Sequence, residues 1–429
     1  MVDCRALHPG DPQDATRTAE AEPSLVARGN GRSYGDASLN PDATVVTRGL
    51  DRFMAFDDQT GWLTCEAGLL LSDLIDVMLP RGWFPMVTPG TRFVTVGGMI
   101  ASDVHGKNHH RDGSFCHHVA WFDLALGDGR VLRCSRDAHA DLFAATCGGM
   151  GLTGVILRAC IRLRAVESAA IRQRTLRADH LEHAMDLFQA TLDWTYSVAW
   201  IDCLATGARM GRSVLLLGEH ATRDELDGAR RTAPLARTPP RPHRLPVTPP
   251  AVLLGRTSMR LFNAAYYAAQ REGERLVAVD PYFYPLDAIL DWNRVYGRAG
   301  FVQYQCVLPL AESKRGLGRL LAAIAAAGDA SFLAVLKRMG PPSPGLIGFP
   351  MEGYTLALDF PAAPVNLALL DRLDAITAGH GGRVYLAKDA RMAPAMMQRH
   401  PGLPAFRDIR RRYGLDTRFS SLLSQRLGL

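Results

Sequence analysis

Residues 88–114, TPGTRFVTVGGMIASDVHGKNHHRDGS, gather more chemically useful groups than any other stretch of the chain. Gly90, Gly97, Gly98, Gly106 and Gly113 stand among a short apolar rib of Val94, Val96, Met99 and Ile100. Glycine has no Cβ, so its backbone N–H can approach a flat or anionic ligand closely. His105, Lys107, His109 and His110 follow the rib. This combination reads as a cofactor bed with reactive or substrate-facing groups at one end. Taken alone, the stretch would read as a turn-rich loop between strands. The histidines lack a matching set of carboxylates or thiolates, so no metal site is expected. His109 and His110 are expected to structure the loop.

Two further glycine clusters flank this bed. In SLVARGNGRSYGD a short strand feeds Gly29, Gly31 and Gly35, a common way to present N–H groups to phosphate. Ser33, Tyr34 and Asp36 follow instead of an apolar helix, so this is not the dinucleotide fingerprint. The third cluster, CGGMGLTGVI, holds Gly148, Gly149, Gly151 and Gly154. Around these clusters the patterning predicts strands at 44–47, 61–67, 84–87 and 156–163, and helices at 69–79 and 141–145. A hairpin is expected over 119–134, turning at Gly127-Asp128-Gly129. Such alternation suits an α+β unit better than a repeated βαβ array.

Beyond Glu167 the texture changes. Helices are expected at 177–192, 314–326 and 367–380, with strands at 196–202, 213–218, 301–308, 331–337, 354–360 and 383–387. The later part reads as a β-α-β-β-α-β unit. Residues 407–427 read as largely helical and basic. Residues 230–260 are rich in Pro and Arg with no acidic residue, and read as a mobile loop.

A chain of 429 residues suggests two domains or more. No run of about 18 apolar residues predicts a membrane-spanning helix. The polar N-terminus argues against a secretory signal. The eight scattered cysteines form no CxxC pair and read as reduced, mostly buried thiols of a cytoplasmic protein. Cys116, beside the bed, is read the same way. A net charge of +6 permits anionic ligands or an anionic membrane surface.

In their order, RGNGRSYGD, PGTRFVTVGGMIASDVHGKNHH and GGMGLTGVI resemble the FAD-binding domain of the vanillyl-alcohol-oxidase superfamily. DWNRVYGRAGFVQYQCVLP, VYLAKDAR and LDTRFSSLLSQRLGL extend the resemblance to nearly the whole chain, within the family of decaprenylphosphoryl-ribose oxidases. The resemblance implies an α+β fold with a two-part, PCMH-type FAD-binding domain at 25–165. A second α+β substrate domain on an antiparallel sheet would span 166–400, with the mobile basic loop at 228–260. Residues 1–24 would be a loose tail, and 401–429 a helical segment returning to the FAD domain.

It further implies that Gly29, Asn30, Gly31, Arg32, Ser33 and Tyr34, with Arg28, cradle the FAD pyrophosphate. Pro89, Gly90, Thr91, Arg92, Thr95, Val96, Gly97, Gly98 and Ala101 would carry the ring system, and Gly106, Gly149, Gly151, Gly154 and Val155 would complete the site. His105 and Lys107 would stand at the flavin's substrate side. Tyr34, Lys107, Gln303, Gln305, Lys337, Tyr385 and Lys388 would face the sugar and its phosphate, with Lys388 and Tyr385 at the polar end of the reaction. Arg32 occupies the place where many relatives carry a flavin-linking histidine, so the FAD is expected to be non-covalent. Ala357 stands where mycobacterial relatives have a cysteine.

The implied activity is FAD-dependent oxidation of the 2′-hydroxyl of a polyprenylphosphoryl-β-D-ribose. A separate NAD(P)H-dependent short-chain reductase would complete epimerisation to the arabinose form. The protein would be cytoplasmic, touching the inner membrane face through its basic loop. The alternatives are an aldonolactone or alditol oxidase using O₂, and a flavin-binding module without catalysis.

Overall fold

The structure is a computed structural model and describes residues 3–237, 243–244, 255–297, 300–328 and 334–429. Its N-terminal half is built on two sheets. A small parallel one joins Ala6–Leu7, Thr44–Val46 and Val26–Arg28. A larger antiparallel one runs Phe53–Asp57, Trp62–Glu66, Val155–Ala165, Val119–Ala125, Val131–Ser135, with Trp83–Pro85 also paired to the long central strand. In that central strand Val155, Ile156, Leu157, Ala159, Cys160, Ile161 and Leu163 are buried, while Arg158, Arg162 and Arg164 interrupt the apolar run.

The C-terminal half is one eight-stranded antiparallel sheet. Its order is Gly273–Ala278, Ala170–Ala178, Ser213–His220, Tyr196–Ile201, Ala334–Met339, Gly353–Pro361, Phe301–Pro309, Arg383–Val384. Leu310–Ala327 and Pro364–Gly379 cover one face. The first buries Leu317, Leu320, Leu321 and Ile324, the i, i+3, i+4, i+7 stripe of a core-facing helix. It stops at Gly328, whose left-handed backbone suits glycine. Because those helices take one face, the other is left for the glycine clusters.

Several expectations need correction. Residues 1–24 are not a loose tail: Pro12–Ala21 is a helix, capped by Asp11 and started by Pro12, with Ala15 and Ala19 fully buried. The helix expected at 177–192 is shorter, Leu181–Ala190, because Arg177 and Ala178 still belong to the strand Ala170–Ala178. The largely helical stretch expected at 407–427 is two helices, Leu403–Arg412 and Leu422–Leu427, with a non-helical link between them. The strand expected at 383–387 stops at Val384, and Leu386–Lys388 coils into a 3₁₀ turn. Much of the expected basic loop is ordered. Gly228–Thr232 is helical, Arg237 is held by Asp280 and Asp76, and a helix starts at Arg256. Residues 238–242 and 245–254 of that loop, and 331–333 of the expected strand at 331–337, lie outside the described residues.

The C-terminal segment packs on the first glycine cluster's strand. Leu25 N–H donates to the Arg418 carbonyl at 2.8 Å and Ser420 N–H to the Leu25 carbonyl at 2.9 Å. Arg426 binds Asp36 and Asp389.

Candidate flavin and substrate site

The three glycine clusters converge. The apolar rib is not a loop but the short helix Val96–Ala101, whose first turn is capped by the Thr95 hydroxyl accepting from Gly98 N–H at 3.1 Å. Val96, Met99 and Ile100 are buried beneath it. From the first cluster, Gly29 presses on Thr95, and a Cβ there would collide with that capping side chain. Gly31 adopts φ 61° against the Arg28 guanidinium, a backbone that only glycine adopts cheaply. Arg28 is steadied by the Ser38 hydroxyl, and Asn30 ties this loop to the bed through the Phe93 carbonyl at 2.8 Å. Arg32 and Arg92 flank the Phe93 ring. The third cluster docks on the same helix, with Gly148 N–H donating to the Ile100 carbonyl and Met150 N–H to the Ala101 carbonyl. Gly149, Gly151 and Gly154 lie in that turn, and Val155 begins the central strand.

The opposing wall comes from the eight-stranded sheet. Its register pairs Gln303 with Asp359, Gln305 with Ala357, and Lys337 with Thr355. Directly paired residues share a face, so these side chains point the same way. Tyr385 N–H donates to the Gln305 carbonyl at 2.9 Å, which extends that row. The turn Leu386–Lys388 then reaches the first glycine loop: Tyr34 N–H donates to the Ala387 carbonyl at 2.9 Å. Gly35 allows the approach, since a Cβ would strike the Asp389 carbonyl. In this way Lys388 comes to sit over Tyr34, its Nζ 4.1 Å from the ring centroid.

His105 joins bed and wall. It is buried, with Gln305 Nε2 donating to its Nε2 at 2.8 Å, while the Gln305 amide also donates to the Thr355 hydroxyl. The proton therefore sits on Nδ1, a buried atom without a protein partner. Burial drives the imidazole pKa well below its usual range, aided by the charges of Lys337, His109 and Lys388. Phe349 and Tyr385 rings pack around it, and their own planes are 4.6 Å apart at the centroids.

Lys337 and Lys388 are half-buried, with their ammonium groups enclosed. Desolvation lowers both to about 8. In Lys388 the Asp359 carboxylate opposes that fall, and Asp359 is itself pushed up to about 6 by burial. Gln303 donates to Asp359.

Two expected site residues are otherwise engaged. Tyr385 donates its hydroxyl proton to the Ser102 carbonyl at 2.9 Å, and burial raises its pKa, so it does not form the expected relay with Lys388. Lys107 donates to the Tyr282 carbonyl and lies over the Tyr282 ring; burial lowers its pKa to about 7. It fastens the segment Val279–Phe283 rather than reaching into the bed. That segment is a strap, with Asp280 bound to Arg92 and Arg237, and Tyr284 bonded to the Thr88 hydroxyl at 2.6 Å. Cys116 is a buried thiol bonded to the Ile100 carbonyl.

Asp359, Asp280 and Phe349 were not anticipated. Asp359 had a signal: it is the one acid within the apolar strand sequence GYTLALDF. Asp280 and Phe349 carried none, because their partners lie far away in sequence.

The residues present suit FAD. Gly97, Gly98 and Gly106 let the bed close tightly on Ala67, Thr95 and Asn108, Gly90 has open space beside it, and the His105 Nδ1–H is an unused donor at the bed's end. Residues 6–135 match the FAD binding domain family. The chain is 35% identical over 421 residues to decaprenylphosphoryl-β-D-ribose oxidase of Mycolicibacterium smegmatis, covering 96% of this chain and 91% of that one. It is 38% identical over 377 residues to an uncharacterized protein in the mprA 5′ region of Streptomyces coelicolor, covering 84% of this chain and all of the other. Cytokinin dehydrogenase 3 of Arabidopsis thaliana is 30% identical over 166 residues, 38% of this chain and 32% of that enzyme. With the glycine bed and the lysine-bearing wall, these relationships identify the chain as an FAD-dependent oxidoreductase of the decaprenylphosphoryl-β-D-ribose oxidase family.

Proposed function

We propose that the protein oxidises the 2′-hydroxyl of a polyprenylphosphoryl-β-D-ribose to the 2′-ketone. The observation that carries this is the wall facing the His105 end of the bed. Two enclosed lysines, Lys337 and Lys388, stand there with two glutamines, Gln303 and Gln305. Glutamines hold sugar hydroxyls in register, and an enclosed lysine suits a phosphate. FAD, when bound, supplies the hydride acceptor for the carbinol carbon.

The chain's own residues handle the rest. Lys388 in its neutral form takes the hydroxyl proton, and Asp359 governs how readily that form is reached. Tyr34 supports the Lys388 ammonium from below. His105, held neutral, offers its Nδ1–H at the bed's end. Lys337 meets the phosphate. FAD is bound without a covalent link, since Arg32 fills the linking position.

The ketone would pass to a separate NAD(P)H-dependent short-chain reductase on the cytoplasmic side of the membrane. Trapping with borodeuteride tests the chemistry. Turnover of polyprenylphosphoryl-ribose should place deuterium at C2 of the recovered pentose; deuterium elsewhere, or none, rejects the assignment.

A further inference from the structure

Arg383 is a mostly buried cation without a counter-ion. It lies on the short edge strand Arg383–Val384, paired with Val307. Its Nη1 donates to the Gly348 carbonyl at 3.1 Å, and among the described residues no carboxylate meets it. Burial lowers its proton affinity and no acid opposes that fall. Arg410, which also lacks a salt bridge, spreads its donors over the carbonyls of Leu152, Leu415, Asp416 and Phe419. Arg383 has a single carbonyl, although charges taken out of water are normally paired.

His400 stands beside it. The turn that carries this histidine closes on Gly402, where a Cβ would strike the Leu346 carbonyl. Gly402 N–H donates to His400 Nδ1 at 3.2 Å, so the ring proton is on Nε2. That Nε2 is buried and makes no hydrogen bond, although it approaches the Gly348 carbonyl that Arg383 already uses. Arg383 is near enough for its charge to oppose protonation of His400. Both groups line one small cavity, with Ser102, Phe349, Tyr385 and Met397. Its lining holds no Asp or Glu, and His105, Lys337 and Lys388 do not reach it. The cavity offers about 20 Å³ to the centre of a water-sized particle, enough for one or two. A halide suits such a space, whereas a phosphate with its four oxygens is too large. Water would accept from His400 but would leave the guanidinium charge unbalanced.

We propose that Arg383 and His400 hold a monovalent anion of chloride's size in this cavity. The ion supplies the missing counter-charge and accepts from the Arg383 N–H groups and from His400 Nε2–H. Its position also gives it a task. Phe349 and Tyr385 line the cavity and pack their rings on His105, so the ion steadies that ring pair. The assignment does not depend on which alcohol the enzyme oxidises.

Bromide is the probe, because it replaces chloride and scatters anomalously. Crystals of the FAD-loaded protein grown without halide and soaked in sodium bromide should show an anomalous peak between Arg383 and His400 Nε2. In solution, exchanging gluconate for bromide at constant ionic strength should raise the thermal midpoint of the loaded protein along a saturating curve. R383Q should abolish both effects. H400F, which keeps the cation and guards against misfolding of R383Q, should weaken bromide about tenfold through loss of one hydrogen bond to a charged group. No peak at this place, or a midpoint gain that is the same in wild type and H400F, overturns the proposal. So does saturation only at molar bromide, which would mean an adventitious ion only. A peak that appears only after FAD is removed overturns it too, because the cavity would then belong to the cofactor.

Discussion

Lys388 carries its ammonium 4.1 Å above the Tyr34 ring, although 354 positions separate the two in sequence. The contact depends on the Tyr34 N–H bond to the Ala387 carbonyl, which fastens the substrate wall to the first glycine loop. Lysine at this place meets three influences: burial favours the neutral amine, Asp359 favours the ammonium, and the Lys337 charge favours the amine again.

The pH dependence follows from that balance. With Lys388 lowered to about 8 and acting as base, kcat/KM should rise about tenfold per pH unit below that value and level off above it. D359N removes the charge that favours the ammonium, so the rising limb should move to lower pH. A limb that stays in place, or moves to higher pH, contradicts this role for Asp359. K388M should lower the rate of flavin reduction by about 10²–10⁴-fold while the protein keeps its flavin.

His105 should remain neutral throughout the working range. Its ¹⁵N spectrum should show the Nδ1–H tautomer with no titration between pH 5 and 8, because burial and two nearby lysines oppose its charging. Titration of this ring near its ordinary value would mean that the Gln305 contact is not kept in solution.

Asp280 joins the bed to the strap, 2% exposed between Arg92 and Arg237. Removing one partner from a buried ionic cluster costs about 3–5 kcal/mol. D280A should therefore lower the thermal midpoint and weaken FAD retention together. An unchanged midpoint would show the cluster to be dispensable.

FAD should come free when the protein is precipitated with acid, leaving a colourless pellet. Yellow colour on the pellet would contradict a non-covalent link. For the same site, T95A should cost about 1 kcal/mol through loss of the helix cap. G29A should be worse, because its methyl group displaces that cap rather than merely omitting it.

Local patterns made much of this legible. The helix at 69–79, the hairpin at Gly127-Asp128-Gly129 and the β-α-β-β-α-β order after residue 300 appear as Leu71–Met78, Val119–Ser135 and the run from Phe301 to Val384. Legibility failed where distant residues decide. Pro12–Ala21 looked like a tail because few large apolar residues mark it, and only Ala15 and Ala19 are buried. Lys107 and Tyr385 looked reactive beside their motifs, but carbonyls of Tyr282 and Ser102, far away in sequence, hold them. The bend at Tyr385 that aims Lys388 has no periodic signature, since a strand and a 3₁₀ turn are both short there.

Anaerobic stopped-flow reduction of the bound flavin tests the central assignment most directly. Polyprenylphosphoryl-β-D-ribose should bleach the flavin rapidly, and the reaction should collapse in K388M, while free alditols and aldonolactones leave the spectrum unchanged. Fast bleaching by an alditol or lactone, with none by the lipid-linked ribose, would contradict the account.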